Sequence, residues 1–155
     1  MARPSDERVR ALRDALRRLM VEHGALDERS RPCGTKLGLA HAHALLELRA
    51  APGPLMVSEL AERLHIDRTN VSRLCARLEE LGQLERAPRA DDGRAWALAL
   101  TPEGHALAAR VDRASLTHFR GLALNLGGAL DEVTDALERL RDAIRETSLV
   151  LEETP

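Results

Sequence analysis

Residues 57–82 read VSELAERLHIDRTNVSRLCARLEELG, and the way this stretch alternates apolar and polar positions decides the fold. Ser58 suits a helix N-cap, Glu59 and Glu62 favour the positive end of a helix dipole, and Leu60, Ala61 and Leu64 supply the inward face of a short helix. His65-Ile66 makes the turn that follows. Asp67 caps a second helix whose Val71, Leu74, Leu78 and Leu81 fall on one side, and Gly82 stands where a helix ends. Two short helices joined by a tight turn form a helix-turn-helix pair.

With Val71, Leu74 and Leu78 turned inward, Arg68, Thr69, Ser72, Arg73 and Ala76 must turn outward. Asn70 joins them near the helix start, and Arg77 one turn beyond Arg73. Such a surface fits a DNA major groove: arginine grips guanine with two hydrogen bonds, Thr and Ser reach phosphates or base edges, and alanine leaves room for close approach. Cys75 on the same helix reads as a small, partly buried residue. A solvated helix face is the plain alternative, and the flanking sequence discriminates between the two.

Downstream, residues 83–89 and 94–101 flank Ala90-Asp91-Asp92-Gly93, with Trp96, Leu98 and Leu100 alternating in the second arm, which predicts a two-stranded hairpin. Arg86, Arg89 and Arg94 make this wing cationic. Arg94 is placed to enter a narrow minor groove, with Asp92 two residues earlier to hold its orientation. Thr101-Pro102-Glu103 then opens a long helix running to about Asn125, which Gly127-Gly128 ends. A last helix, about Ala129 to Leu149, carries Leu130, Val133, Leu137, Leu140 and Ile144 on one stripe. Upstream, Val9, Leu12, Leu16 and Leu19 mark an amphipathic helix from about Ser5 to Leu26. A polar connection, Asp27 to Gly38, leads to a further helix, Leu39 to Ala50, which stops before Pro52-Gly53-Pro54.

The order of these motifs resembles the MarR family. The residues that carry the likeness are Val57 to Leu64, Arg68 to Leu74, Leu81-Gly82-Gln83-Leu84, Asp92-Gly93-Arg94 and Leu100-Thr101-Pro102-Glu103-Gly104. The resemblance implies a mainly α fold: a winged helix-turn-helix lobe with a two-stranded β wing at 39–102, and a helical dimerisation region built from 1–38 and 103–155. It further implies a homodimer whose recognition helices enter successive major grooves of a pseudo-palindromic duplex, as a repressor of transcription. The expected DNA contacts are Arg68, Thr69, Asn70, Ser72, Arg73, Arg77, Arg89, Asp92 and Arg94. Family wings often carry more basic residues around the Asp-x-Arg motif, whereas Gly93 and Ala95 here are neutral, which implies modest non-specific affinity.

Composition sets the limits. The 155 residues suit one fold, and 44% hydrophobic with 31% charged residues is globular rather than disordered. Lys+Arg 23 against Asp+Glu 25 gives a net charge of −2, so any DNA binding rests on local charge. Met1 to Asp6 shows no secretory pattern, which predicts a cytoplasmic protein. The longest apolar stretch, Gly121 to Leu130, is interrupted by Asn125 and falls well short of the roughly 20 residues that span a membrane, so no membrane partner is expected. No nucleophile motif, phosphate loop or His-Glu-x-x-His pattern points to an enzyme, and no cofactor is required. A winged helix that binds another protein is the competing class; Arg68, Arg73 and Arg94 speak against it.

Three kinds of signal compete. The first is a small organic effector in a cleft between the first two helices and the fifth; with Trp96 and Phe119 as the sole aromatics, an aliphatic or polar one is favoured. The second is oxidation of Cys33, near Arg31 and Lys36, although family members that sense hydroperoxides place tyrosines beside such a cysteine and this chain has none. The third is a metal held by Cys33, His43, Glu47 and His105. His43 and Glu47 share a helix face while His41 points away, and Ala109 stands where a second histidine would pair with His105.

Overall fold

A computed structural model of the chain describes residues 4–23, 37–88 and 96–152. The elements run α1 (Asp6–Glu22), α2 (Leu39–Ala50), α3 (Val57–Leu64), α4 (Arg68–Glu80), β1 (Leu84–Pro88), β2 (Trp96–Leu100), α5 (Pro102–Leu126), a 3₁₀ turn (Gly127–Ala129) and α6 (Leu130–Glu152). Residues 1–116 and 117–155 form two compact units.

In the first unit, one apolar core is closed from every side. Ala42, Ala44, Leu45 and Leu48 of α2 meet Leu60 and Ala61 of α3 and Val71, Leu74, Cys75 and Leu78 of α4. Leu84, Leu98 and Leu100 of the strands join them, with Ala108 and Val111 of α5. Each fully buried leucine contributes about 1.5–3 kcal/mol, enough to override the weak propensity of helices as short as α3. β1 and β2 pair antiparallel, Leu84 opposite Leu100 and Pro88 opposite Trp96. The other edge of β2 is covered by Leu55, whose N–H donates to the Leu98 carbonyl at 3.0 Å and whose carbonyl accepts from the Leu98 N–H at 2.7 Å. Sequence reading treats 52–54 as a plain break and does not reach this pairing, because one bridging residue has no periodicity.

The helix ends explain how α3 and α4 are set. Sequence places the N-cap of α3 at Ser58; the helix starts two residues sooner, with Met56 at the cap and Ser58 inside the first turn. The carboxylate of Glu59, at the third helical position, reaches back to accept from the Met56 N–H at 2.6 Å, as the glutamate of a capping box does. At the other end His65 is left-handed (φ 52°, ψ 42°). The His65 N–H donates to the Glu62 carbonyl and the Ile66 N–H to that of Ala61. The same two-bond closure ends α4: Gly82 (φ 66°) donates to Glu79 at 2.9 Å and Gln83 to Leu78 at 2.9 Å. Leu81, expected on the inward face, is 44% exposed because the helix turns off at that residue.

Thr101 fastens the next junction. Its hydroxyl donates to the Gly82 carbonyl at 2.6 Å and accepts from the Gly104 N–H at 3.0 Å, capping α5 against the end of α4. Gly104 is required here, since a Cβ on it would lie 1.9 Å from the Gln83 carbonyl oxygen. Two surface ion pairs brace α2: Arg49 with Asp112 of α5 at 3.3 Å, and Glu47 with Arg63 of α3 at 3.4 Å.

The expected first helix, Ser5 to Leu26, is observed as 6–22 with Ser5 and His23 as its caps; residues 24–26 and Cys33 lie outside the described residues. No residue of α1 is buried: Val9, Leu12 and Leu19 are each more than half exposed. In the second unit, α6 begins at Leu130 and reaches Glu152, beyond the expected Leu149, after a left-handed Gly127 (φ 55°). Phe119, Leu122, Leu124, Leu137 and Ile144 are exposed there. Among the described residues no helix is long and apolar enough to cross a membrane.

Candidate nucleic-acid interface

The recognition face is built from the α4 N-terminus. Asp67 caps the helix, its carboxylate accepting from the Asn70 N–H at 2.9 Å. Hydrogen bonds from Asn70 and from backbone N–H groups hold the Asp67 carboxyl below its usual range, favouring the charged form that caps best. Burying Val71, Leu74, Cys75 and Leu78 leaves Arg68, Thr69, Asn70, Ser72, Arg73, Ala76 and Arg77 exposed, so those expected contacts that lie on α4 are accessible.

Its arginines are not equivalent. Arg77 is 2.9 Å from the carboxylate of Glu80, and Arg86 of β1 is 2.8 Å from that of Glu79, so the field of each is partly cancelled where a phosphate would approach. Arg68 has no hydrogen-bond or ion-pair partner among the described residues, and Arg73 touches only the neutral amide of Asn70, at 3.5 Å. The Asn70 amide also donates to the second oxygen of Asp67. Free positive charge is thus concentrated toward the helix N-terminus, the end that meets base edges when such a helix enters a groove.

Arg89, Asp92 and Arg94 lie outside the described residues; β1 and β2 lead into and out of that segment. Cys75, expected to be partly buried, is wholly buried, and burial together with the charge of Glu79 pushes its thiol up to about 11. A thiol so disfavoured as thiolate is a packing residue.

For sensing, the described candidates stay apart. His43 and His105 are exposed on different helices, Glu47 is engaged with Arg63, and no group of three or more His, Cys, Asp or Glu side chains suited to a metal occurs among the described residues. His41 is partly buried on α2, and burial and the nearby Arg77 charge both lower its pKa. A cavity of about 280 Å³ opens where α4 hands over to β1, lined by Leu81, Gln83, Glu103, Ala106, Leu107 and Arg110, on residues of α5 but none of α1 or α2.

Sequence reasoning missed Leu55, Glu59 and Gly104 as determinants of this surface. For Gly104 a signal existed: a glycine in the first turn of a well-capped helix marks a close backbone approach.

The sequence profile of the MarR family matches residues 35–95, a span that holds α2, α3, α4 and β1 and ends before β2. The HTH-type transcriptional regulator PapX of Escherichia coli is 33% identical over 72 residues, which is 46% of this chain and 44% of that protein, so less than half the length of this curated relative is spanned. Among solved structures, the transcriptional repressor CouR bound to a 23-mer DNA duplex is 29% identical, with a TM-score of 0.70 over 94% of this chain and 99% of that one. Sco3205 of Streptomyces coelicolor, a MarR family transcriptional regulator in complex with DNA, has a TM-score of 0.73 at 21% identity, covering 95% of this chain and 91% of that one. Residues 35–95 thus match the MarR family, and the helix-turn-helix, the antiparallel strands and the long helix capped by Thr101 give the chain the winged helix-turn-helix fold of these structures.

Proposed function

We propose that the chain is a sequence-specific, double-stranded DNA-binding transcription regulator of the cytoplasm, a repressor that works as a homodimer on a pseudo-palindromic operator and is released by a small-molecule ligand. The observation that carries this reading is the exposed α4 face, where Arg68 and Arg73 stand without a carboxylate partner among the described residues while Thr69 and Ser72 flank them. A repressor with 29% identity over nearly the whole chain, held on duplex DNA, supports it. The dimer is supported by apolar side chains left uncovered: Val9, Leu12 and Leu19 on α1, and separately Phe119, Leu124 and Ile144 in residues 117–155. Patches of this kind are interaction surfaces, and a second copy would bury them while pairing two recognition helices for the two halves of a symmetric site. A ligand that altered the spacing of the two lobes would weaken binding to sites about one helical turn apart.

The test is fluorescence anisotropy with a duplex selected from a random pool by the chain itself, titrated at several salt concentrations. Affinity should fall steeply with salt. Arg94→Ala should weaken selected and unrelated duplexes alike and reduce the salt slope by about one, whereas Arg73→Ala should cost about 1–3 kcal/mol on the selected duplex alone. Binding indifferent to salt and to both substitutions overturns the reading.

A further inference from the structure

Asn70 was counted above, from sequence, among the residues that touch DNA. Its surroundings assign it a different task. The side-chain NH₂ donates to one carboxylate oxygen of Asp67, whose other oxygen already caps the helix through the Asn70 N–H at 2.9 Å. Its carbonyl oxygen accepts from the Arg73 guanidinium at 3.5 Å. The three residues stand at i, i+3 and i+6, along one edge of α4 where side chains three apart are neighbours.

The amide therefore bridges an anion and a cation with its dipole oriented correctly for both. Its donor end meets the carboxylate and its acceptor end the guanidinium; a reversed amide would set oxygen against oxygen and NH₂ against guanidinium. Each contact joins the neutral amide to an ionised group, the one to Asp67 close and the one from Arg73 long, at 3.5 Å. The arrangement differs from the neighbouring arginines, where Glu80 and Glu79 pair directly with Arg77 and Arg86. Arg73 is held by a neutral group, so its orientation is restricted while its charge stays available.

We infer that Asn70 is a positioning residue: anchored on the Asp67 cap, it holds the Arg73 guanidinium at a fixed place on the exposed face of α4, so that discrimination among DNA sequences depends on Asn70 through Arg73. This rests on the DNA-reading proposed above. A long arginine that must be ordered on binding loses side-chain entropy; one already tethered loses less, and the saving applies only where the bound geometry matches the tethered one, which is selectivity.

The test is a double-mutant cycle in the full-length chain: unmodified, Asn70→Ala, Arg73→Ala and both together, each titrated with the duplex selected by the unmodified chain and with a scrambled duplex. Alanine at position 70 keeps the backbone N–H that Asp67 caps and has the higher helix propensity, so the fold is retained, as equal melting temperatures would verify. Asn70→Ala should lower the ratio of selected to scrambled affinity about five-fold, leave the scrambled affinity unchanged, and add less than about two-fold once Arg73 is alanine. An equal loss in both backgrounds would mean that Asn70 touches DNA itself, and no loss in either would mean that it positions nothing; both overturn the inference. Absence of any selected duplex for the unmodified chain overturns instead the DNA-reading on which it rests.

Discussion

The lobe from Leu39 to Leu100 and the helices outside it draw on the same residues, chiefly leucine, alanine and arginine in amphipathic order, yet their apolar faces meet different fates. In α4 the face Val71, Leu74, Cys75 and Leu78 is sealed; in α1 the face Val9, Leu12 and Leu19 buries nothing. Among residues 130–147 of α6 the stripe reaches only half-burial, at Val133 and Leu140. Helical periodicity states which side is apolar and is silent on what covers it. The lobe closes on itself because its elements are short, and sharply turned at His65, Gly82 and Thr101. A long uninterrupted helix has no such means of returning onto its own face.

The largest expected effect breaks the comparison directly. Leu78→Ala opens a cavity in a side chain of 0% exposure and should cost about 2–5 kcal/mol in urea unfolding, whatever the protein concentration. Leu12→Ala removes a side chain that is 57% exposed, and its cost should appear as a midpoint that depends on protein concentration, because what it weakens is association. A concentration-independent loss of similar size at Leu12 would show that α1 is covered within one chain, and the contrast between the two regions would fall.

A smaller effect contrasts two glycines of α5. Gly104→Ala forces a methyl group to within 1.9 Å of the Gln83 carbonyl oxygen, and separating β1 from α5 should cost about 3 kcal/mol, read as a lowered urea midpoint. At Gly121 a Cβ would meet nothing within 4 Å, so alanine there should stabilise by about 0.5–1 kcal/mol through helix propensity. Destabilisation at Gly121 would instead reveal a second backbone packed against that face, which would sharpen the argument for a partner copy.

The same contrast governs what the sequence disclosed. The helix-turn-helix and the exposed arginines were legible because each is a local pattern: a cap, a 3.6-residue period, a terminating glycine. The pairing of Leu55 with Leu98 was not, since it joins residues far apart in sequence through backbone atoms that carry no side-chain signature. Nor were the partners that divide the arginines into free and engaged. Arg77 and Glu80 stand at a spacing that permits pairing, but Arg86 and Glu79 meet only because β1 folds back beside α4. Ser58 misled because a hydroxyl before an apolar run is the usual cap, whereas here Met56 stands at the cap two residues earlier and the Glu59 carboxylate binds its N–H.

The smallest effect lies inside the lobe, at the turn that sets α3 against α4. His65 and Gly82 close their helices with the same hydrogen bonds and nearly the same left-handed backbone (φ 52° and 66°), but only one of them is glycine. A side chain in that conformation costs about 1–2 kcal/mol, so His65→Gly should relieve strain. Glycine also widens the unfolded ensemble by about 0.5–1 kcal/mol, which leaves a net gain near 0.5 kcal/mol. Thermal unfolding should show a small rise in Tm for His65→Gly and a clear fall for His65→Val, whose branched side chain is least suited to this region. Equal melting temperatures for all three would mean that the turn relaxes out of the left-handed region, and the angle between α3 and α4 would then be fixed by the core residues Leu60 and Val71 and not by the turn.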